Sequence, residues 1–288
     1  MFLAEPHALL VPAEGEFAAA EAPTTPSPKA EKSDWKKKLE LEKDAIGAWQ
    51  HKLYAHGRYA MLLIFQALDA GGKDSTIRHV FSGVNPTGLH VASFKQPSAT
   101  ELAHDFLWRT TLKLPERGHI AVFNRSYYEE VLVVRVHPQL LEAQQLPERG
   151  SGNLWKDRYR SIVDHERHLA NQGTVILKFW LNVSKQEQRR RFIERIEQPE
   201  KHWKFRSADL NERTHWGAYL QAYEECLRAT SRPWAPWYAI PADDKHYLRW
   251  QVAALINAAF EKLEIDFPKP TEAELLELAQ AATRLERE

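Results

Sequence analysis

Short apolar runs alternate along the chain with longer stretches in which apolar residues recur every three or four positions. The runs Met61 to Gln66, His90 to Phe94, His119 to Phe123, Val175 to Leu181 and Trp237 to Ile240 have the length and side chains of buried strands. Helical periodicity fills the intervals: Ser75 to Phe81, Ala99 to Leu112, Ser126 to Val134, Leu154 to Asn171, Lys185 to Ile196, Trp216 to Ala229 and Lys245 to Leu263. An earlier charged helix, Asp34 to His56, carries Trp35, Leu39, Leu41, Ile46, Trp49 and Leu53 toward a core. Strands separated by helix-length segments require parallel crossovers, so the pattern predicts an α/β fold, a three-layer α/β/α sandwich around a parallel sheet. Ligands of such sheets bind beyond the carboxyl ends of the strands.

The ends read differently. Residues 1–33, rich in Ala, Pro, Glu and Thr with Pro23, Pro26 and Pro28 close together, are expected to be a mobile N-terminal tail. Residues 266–288 form a C-terminal helical tail; its Leu275, Leu276, Leu278 and Leu285 either extend an interface or sit on a solvated helix. One domain over residues 34–265 remains between them.

Composition narrows the partners. Lys+Arg and Asp+Glu number 39 each, so no overall field advertises a polyanion, nucleic acid is not an expected partner, and any such site must come from local clustering. A single cysteine, Cys226, excludes an intrachain disulfide and favours a reducing compartment; in its helix-like setting it reads as buried and inert. No apolar run approaches the roughly 20 residues needed to cross a bilayer, and Glu5 and Glu14 flank Leu9 to Val11 without a basic leader. A cytoplasmic protein without membrane contact is expected. The 13 histidines lack the paired spacing of zinc ligands.

The first strand runs into Ala67-Leu68-Asp69-Ala70-Gly71-Gly72-Lys73-Asp74, followed by a helix from Ser75. This is the setting of a P-loop (Walker A), in which glycines let backbone N–H groups approach phosphate and the lysine meets its oxygens. Here Ala67 replaces the first glycine, Asp74 the usual hydroxyl, and Asp69 lies inside the cradle. A carboxylate facing phosphate is repulsive unless a cation lies between them, so Asp69 reads as an anchor for Mg²⁺. Gly71, Gly72, Lys73, Asp74 and Ser75 form the candidate phosphate-binding set; a plain strand-to-helix turn capped by Asp74 is the competing reading.

The third strand delivers Asn124 and Arg125 into the next turn, where nucleotide kinases place a second metal or phosphate contact. Asn124 can coordinate through oxygen but carries no charge, and Arg125 offers a planar fork for phosphate. Glu129 could supply the missing negative charge to Mg²⁺ or to a nucleotide, whereas Glu130 is equally well a solvated helix surface.

Three motifs in this order resemble the polyphosphate kinase 2 family: the Asp69 to Asp74 loop, Phe123-Asn124-Arg125-Ser126 with Tyr127 and Tyr128, and Trp234-Ala235-Pro236-Trp237-Tyr238 leading to Pro241-Ala242-Asp243-Asp244-Lys245. The resemblance spans roughly Trp35 to Leu263. It implies a P-loop kinase-like fold and Mg²⁺-dependent phosphoryl transfer between inorganic polyphosphate and adenine nucleotides, with guanine nucleotides as a second class. Family members usually carry Asp-Arg where this chain has Asn124-Arg125; those with Asn-Arg and a glutamate five residues on resemble the subgroup that phosphorylates both AMP and ADP, and Glu129 fits. The resemblance also implies homo-oligomers and a mobile arginine-bearing helical lid, about residues 185–215, whose Arg191 and Arg195 would face the transferred group.

In the resulting expectation Asp69, Lys73, Arg125 and Glu129 are catalytic, and Asp69 with Glu129 holds Mg²⁺. Lys95, at the end of the second strand, joins Arg125 on a polyphosphate track, while Arg78 and Arg135 are either part of it or surface charges. The same chemistry run toward polyphosphate synthesis, a non-catalytic polyanion-binding protein and an ATP-using monophosphate kinase are the alternatives. Trp180, Trp216 and Trp250 read as core, Trp234 and Trp237 as packing around a turn, and Asp243 and Asp244 as helix caps.

Overall fold

The computed structural model describes residues 1–147 and 152–288. Among these, five parallel strands form one sheet in the order β2-β3-β1-β4-β5, with β1 at Ala60–Gln66, β2 at Leu89–Ser93, β3 at Ile120–Asn124, β4 at Thr174–Asn182 and β5 at Trp237–Pro241. β1 is buried along its whole length, as a central strand covered on both faces must be. Its alternate residues feed two cores: Met61, Leu63 and Phe65 on one face, Leu62 and Ile64 on the other. The first face is covered by α1 (Lys32–His56), α2 (Lys73–Val80) and α10 (Lys245–Glu261), through Leu39, Ile46, Leu53, Ile77, Val252, Ile256 and Phe260. The second is covered by α6 (Leu154–Asn171) and α9 (Trp216–Thr230), through Tyr159, Ile162, Tyr223 and Leu227. This is the predicted three-layer α/β/α sandwich.

Two predicted helices are broken. Ala99 to Leu112 divides into α3 (Ala99–Leu102) and α4 (Trp108–Thr111), because Asp105 Oδ1 accepts the Leu107 N–H and so draws the backbone into a turn. Ser126 to Val134 is a 3₁₀ turn over Tyr127–Val131 followed by α5 (Val133–Val136), because the Ser126 hydroxyl accepts the Tyr128 N–H and both tyrosine rings turn into the core. The predicted lid holds α7 (Lys185–Glu197), α8 (Ser207–Glu212) and two 3₁₀ turns, Pro199–Lys204 and Arg213–His215.

The N-terminal segment is not the mobile tail expected from its composition. Val11 and Ala19 are buried, Leu10 bridges Tyr238 of β5, and Val11 N–H donates to Trp237 O. Farther on, Asn182 Nδ2 donates to Ala22 O, and Asp243 N–H donates to Thr24 O. The segment therefore covers the open edge of β5. The C-terminal α11 (Glu272–Leu285) buries none of its residues. Among the described residues no helix is long and apolar enough to cross a membrane.

Candidate active site

β1 and β3 lie side by side with Phe65 opposite Asn124, so the loops leaving their carboxyl ends are neighbours by register. The chain after β1 continues into α2 on one face, while the chain after β3 turns toward α6 on the other, which places a crevice between the two strand ends. The Arg125 N–H donates to Phe65 O at 3.1 Å and fastens the second loop to the first.

Within the phosphate loop, Gly71 N–H donates to Leu68 O, and positive φ at Ala70 (57°) and Gly72 (106°) turns the chain into α2. Lys73 opens that helix and is nearly buried; its ammonium donates to Ala67 O at 2.6 Å. Burial, and next the Arg125 charge, push Lys73 down to about 8, while Asp69, Glu129 and Asp74 pull it upward. Asn124 Nδ2 donates to Asp74 Oδ1 at 2.6 Å, and Ser75 Oγ donates to Gly72 O.

Arg125 is the hinge of the site. Its guanidinium lies 3.3 Å from Asp69 Oδ1 and 3.5 Å from Glu129 Oε2, joining the phosphate loop to the turn after β3. Glu129 above all, and then Asp69, hold Arg125 above its ordinary range against the effect of burial. Burial raises the Glu129 carboxyl, with Arg125 opposing. The buried Gln66 amide is satisfied with its nitrogen 2.9 Å from Glu129 Oε1 and its oxygen toward Ser126, which orients the carboxylate. Arg125 itself has φ 64°, a left-handed conformation that only specific packing sustains in a residue with a Cβ.

Asp69, Lys73, Asp74, Asn124, Arg125 and Glu129 thus stand together beyond the carboxyl ends of β1 and β3. Other predicted site residues stand elsewhere. Arg191 points inward, not toward a free lid face: its guanidinium donates to Ala70 O, Ala242 O and Asp243 O and pairs with Glu187, making it a strut under the phosphate loop. Arg195 lies near Lys204 O and Asp209 within the segment predicted as a lid. Lys95 is exposed beyond β2, and its carbonyl accepts from Arg109. Arg135 pairs with Glu225 over the Trp155 ring. Glu130 is a buried partner of Arg158, not a solvated surface.

Four neighbours escaped sequence reasoning. Gln66 orients Glu129, Gln188 Nε2 donates to Asp69 O, Arg109 contributes to the field at Glu129, and the Asp209 carboxyl is raised by burial and by Asp69. Gln66 carried the same signal as Asn124, a polar residue closing an apolar strand.

Among the described residues, no group of three or more His, Cys, Asp and Glu could enclose a metal ion. The donors at hand are carboxylate oxygens, partly open to solvent at Asp69 and already flanking one cation, Arg125. Mg²⁺ is usually held by one or two carboxylates, with substrate phosphates and waters completing its shell, so this donor set fits it.

The family model for polyphosphate kinase 2 matches residues 29–268. The chain belongs to the polyphosphate kinase 2 family. It is 54% identical over 249 residues to an ADP-polyphosphate phosphotransferase of Rhodopseudomonas palustris, covering 86% of each chain. It is 49% identical over 224 residues to an AMP/ADP-polyphosphate phosphotransferase of Meiothermus ruber, covering 78% of this chain and 80% of that one. The polyphosphate kinase 2 crystal structure from Arthrobacter aurescens superposes with a TM-score of 0.85 at 36% identity, over 94% of this chain and 95% of that one. The fold and the family are those the motifs implied.

Proposed function

We propose that this protein is a Mg²⁺-dependent polyphosphate:nucleotide phosphotransferase that moves the terminal phosphoryl group of inorganic polyphosphate onto ADP and AMP. The observation that carries the reading is a phosphate loop with its own carboxylate, Asp69, joined through Arg125 to Glu129 of the turn that follows β3. Lys73 senses three carboxylates and one further cation, Arg125, so the site is acidic where a polyanion must dock. Such a site demands additional positive charge.

Phosphoryl transfer proceeds through a loose transition state in which alignment and charge neutralisation dominate. Lys73 and the N–H groups around Gly71 and Gly72 would hold the phosphate in transfer, and Arg125 would stabilise charge developing on it. Asp69 and Glu129 would hold Mg²⁺, which supplies neutralisation of phosphate charge when bound. Asn124 would keep Asp74 aligned while adding no charge of its own near the acceptor. The acceptor oxygen belongs to a phosphate already ionised near neutral pH, so no strong general base is needed. Residues 185–215, with Arg195, would cover the site and exclude water, limiting hydrolysis. Arg191 would act from beneath, by bracing the loop at Ala70.

The names of the two relatives, one for ADP and one for AMP and ADP, support acceptance of both nucleotides, as does the pairing of Asn124 with Glu129. With this reading go guanine nucleotides as additional acceptors, a homo-oligomeric assembly and a cytoplasmic location. Purified protein incubated with polyphosphate, Mg²⁺ and AMP or ADP, followed by nucleotide separation, is the test. Formation of ADP and ATP is expected; absence of both, or transfer that needs ATP as donor in place of polyphosphate, would reject the reading.

A further inference from the structure

Beneath the turn after β3 lies a buried charged network that the transfer chemistry does not use. Lys178 stands in the middle of β4 with no solvent exposure, and Glu166 of α6 is equally buried. The three ammonium protons are matched by three acceptors: Glu166 Oε2 at 2.6 Å, Tyr128 Oη at 2.9 Å and Thr230 O at 2.8 Å. Glu166 Oε1 accepts from both Tyr127 Oη, at 2.9 Å, and Tyr128 Oη, at 2.8 Å. Thr230 Oγ1 in turn accepts from Trp237 Nε1 at 2.9 Å. The network thus ties two of the three sequence motifs together, Tyr127-Tyr128 and Trp237, from the side of the sheet opposite α2.

We propose that Glu166, Lys178 and the hydroxyls of Tyr127 and Tyr128 are positioning groups for phosphoryl transfer, clamping the chain immediately after Arg125 so that Arg125 and Glu129 stay aimed at the phosphate loop. The inference rests on the function proposed above. Three observations carry it. Arg125 occupies a left-handed conformation at φ 64° and needs fixation on both sides; its own N–H is held by Phe65 O, and the next anchors are the Ser126 hydroxyl on Tyr128 N–H and the two tyrosine hydroxyls. Glu129 lies one residue past these tyrosines on the same short turn. A buried ion pair is a poor way to gain stability, since well-packed apolar side chains usually serve as well or better, so its saturated geometry points to a demand for one arrangement.

The test uses two variants chosen to fold. The charge-neutral pair Glu166→Gln/Lys178→Met removes the clamp without leaving one buried charge alone, and Tyr127→Phe/Tyr128→Phe removes only the hydroxyl anchors. Ile162→Val, one helical turn before Glu166 in the same core and without a polar group of its own, serves as a packing control. Steady-state assays with polyphosphate and ADP, together with pH profiles, should show kcat falling 10- to 100-fold in both clamp variants with KM changing less than threefold. The basic limb of kcat/KM should also move, because Lys73 responds to Arg125 and Glu129. Ile162→Val should keep kcat and the pH profile of the parent. Folded clamp variants with kcat within twofold of the parent and an unmoved basic limb would overturn the inference alone. A parent protein that makes no nucleotide product from polyphosphate would overturn the function proposed, and this inference with it.

Discussion

The ammonium of Lys73 gives the sharpest handle on how the site meets a polyanion. Burial and the nearby Arg125 charge lower it from 10.5 to about 8, a displacement worth about 3 kcal/mol in favour of the neutral amine. The sign follows from linkage: the folded value lies below the unfolded one, so keeping Lys73 charged opposes folding below pH 8, and that cost fades as pH rises from about 8 to 10.5. At pH 7 about nine in ten molecules are protonated, so replacing Lys73 with the neutral Met should raise stability by up to about 3 kcal/mol while abolishing transfer. A bound polyphosphate supplies negative charge and drives the value back up. At pH 8 each binding event should therefore take up about half a proton at this residue. Calorimetric titration of polyphosphate into the protein, in two pH 8 buffers of different ionisation enthalpy, measures the uptake; its difference from Lys73→Met cancels protons released or bound elsewhere. Equal uptake in the two proteins would refute the reasoning.

Four further outcomes follow from the same geometry. Gly71→Ala would place its Cβ 2.6 Å from Ala67 Cβ and 2.8 Å from Leu68 O, so the loop must open and kcat/KM should fall by about 100-fold. Gly72→Ala meets nothing closer than 3.5 Å but sits at φ 106°, so a thermal melt should register a loss of about 1–3 kcal/mol. For Glu129, burial raises the carboxyl, so its stabilising contribution exists at acid pH and is lost as pH rises through the folded value; Glu129→Gln should melt no lower than the parent at pH 7 yet transfer at least tenfold more slowly. Asn124→Asp replaces a 2.6 Å hydrogen bond to Asp74 with two like charges, a repulsion of about 1 kcal/mol or more; half-activation should need less Mg²⁺, and kcat/KM should shift toward AMP over the more anionic ADP.

Much of this site is legible in the residues alone. An apolar run opening into Gly71-Gly72-Lys73 reads as a loop at the end of a buried strand, and a parallel strand ending in Phe123 delivers Asn124 and Arg125 to the same carboxyl end of the sheet. What sequence could not supply was direction. Arg191 and Arg195 share a helix stripe by spacing, yet the stripe does not say which of them faces the core; the fold turns Arg191 under the phosphate loop, where backbone carbonyls take its guanidinium. Glu130 failed for the same reason, since the partner that makes it a buried residue, Arg158, comes from a distant helix. The N-terminal segment misled through its prolines. Its few apolar residues, Leu10 and Val11 among them, are sufficient to cover an edge strand that composition alone does not reveal.

Asp69, the carboxylate placed inside the phosphate loop, is the residue on which dependence on Mg²⁺ turns most directly. Mg²⁺ titration of polyphosphate-driven ATP formation should show Asp69→Asn at least 100-fold slower than the parent at every Mg²⁺ concentration, with half-activation displaced to higher Mg²⁺. Equal rates and an unshifted titration would contradict it.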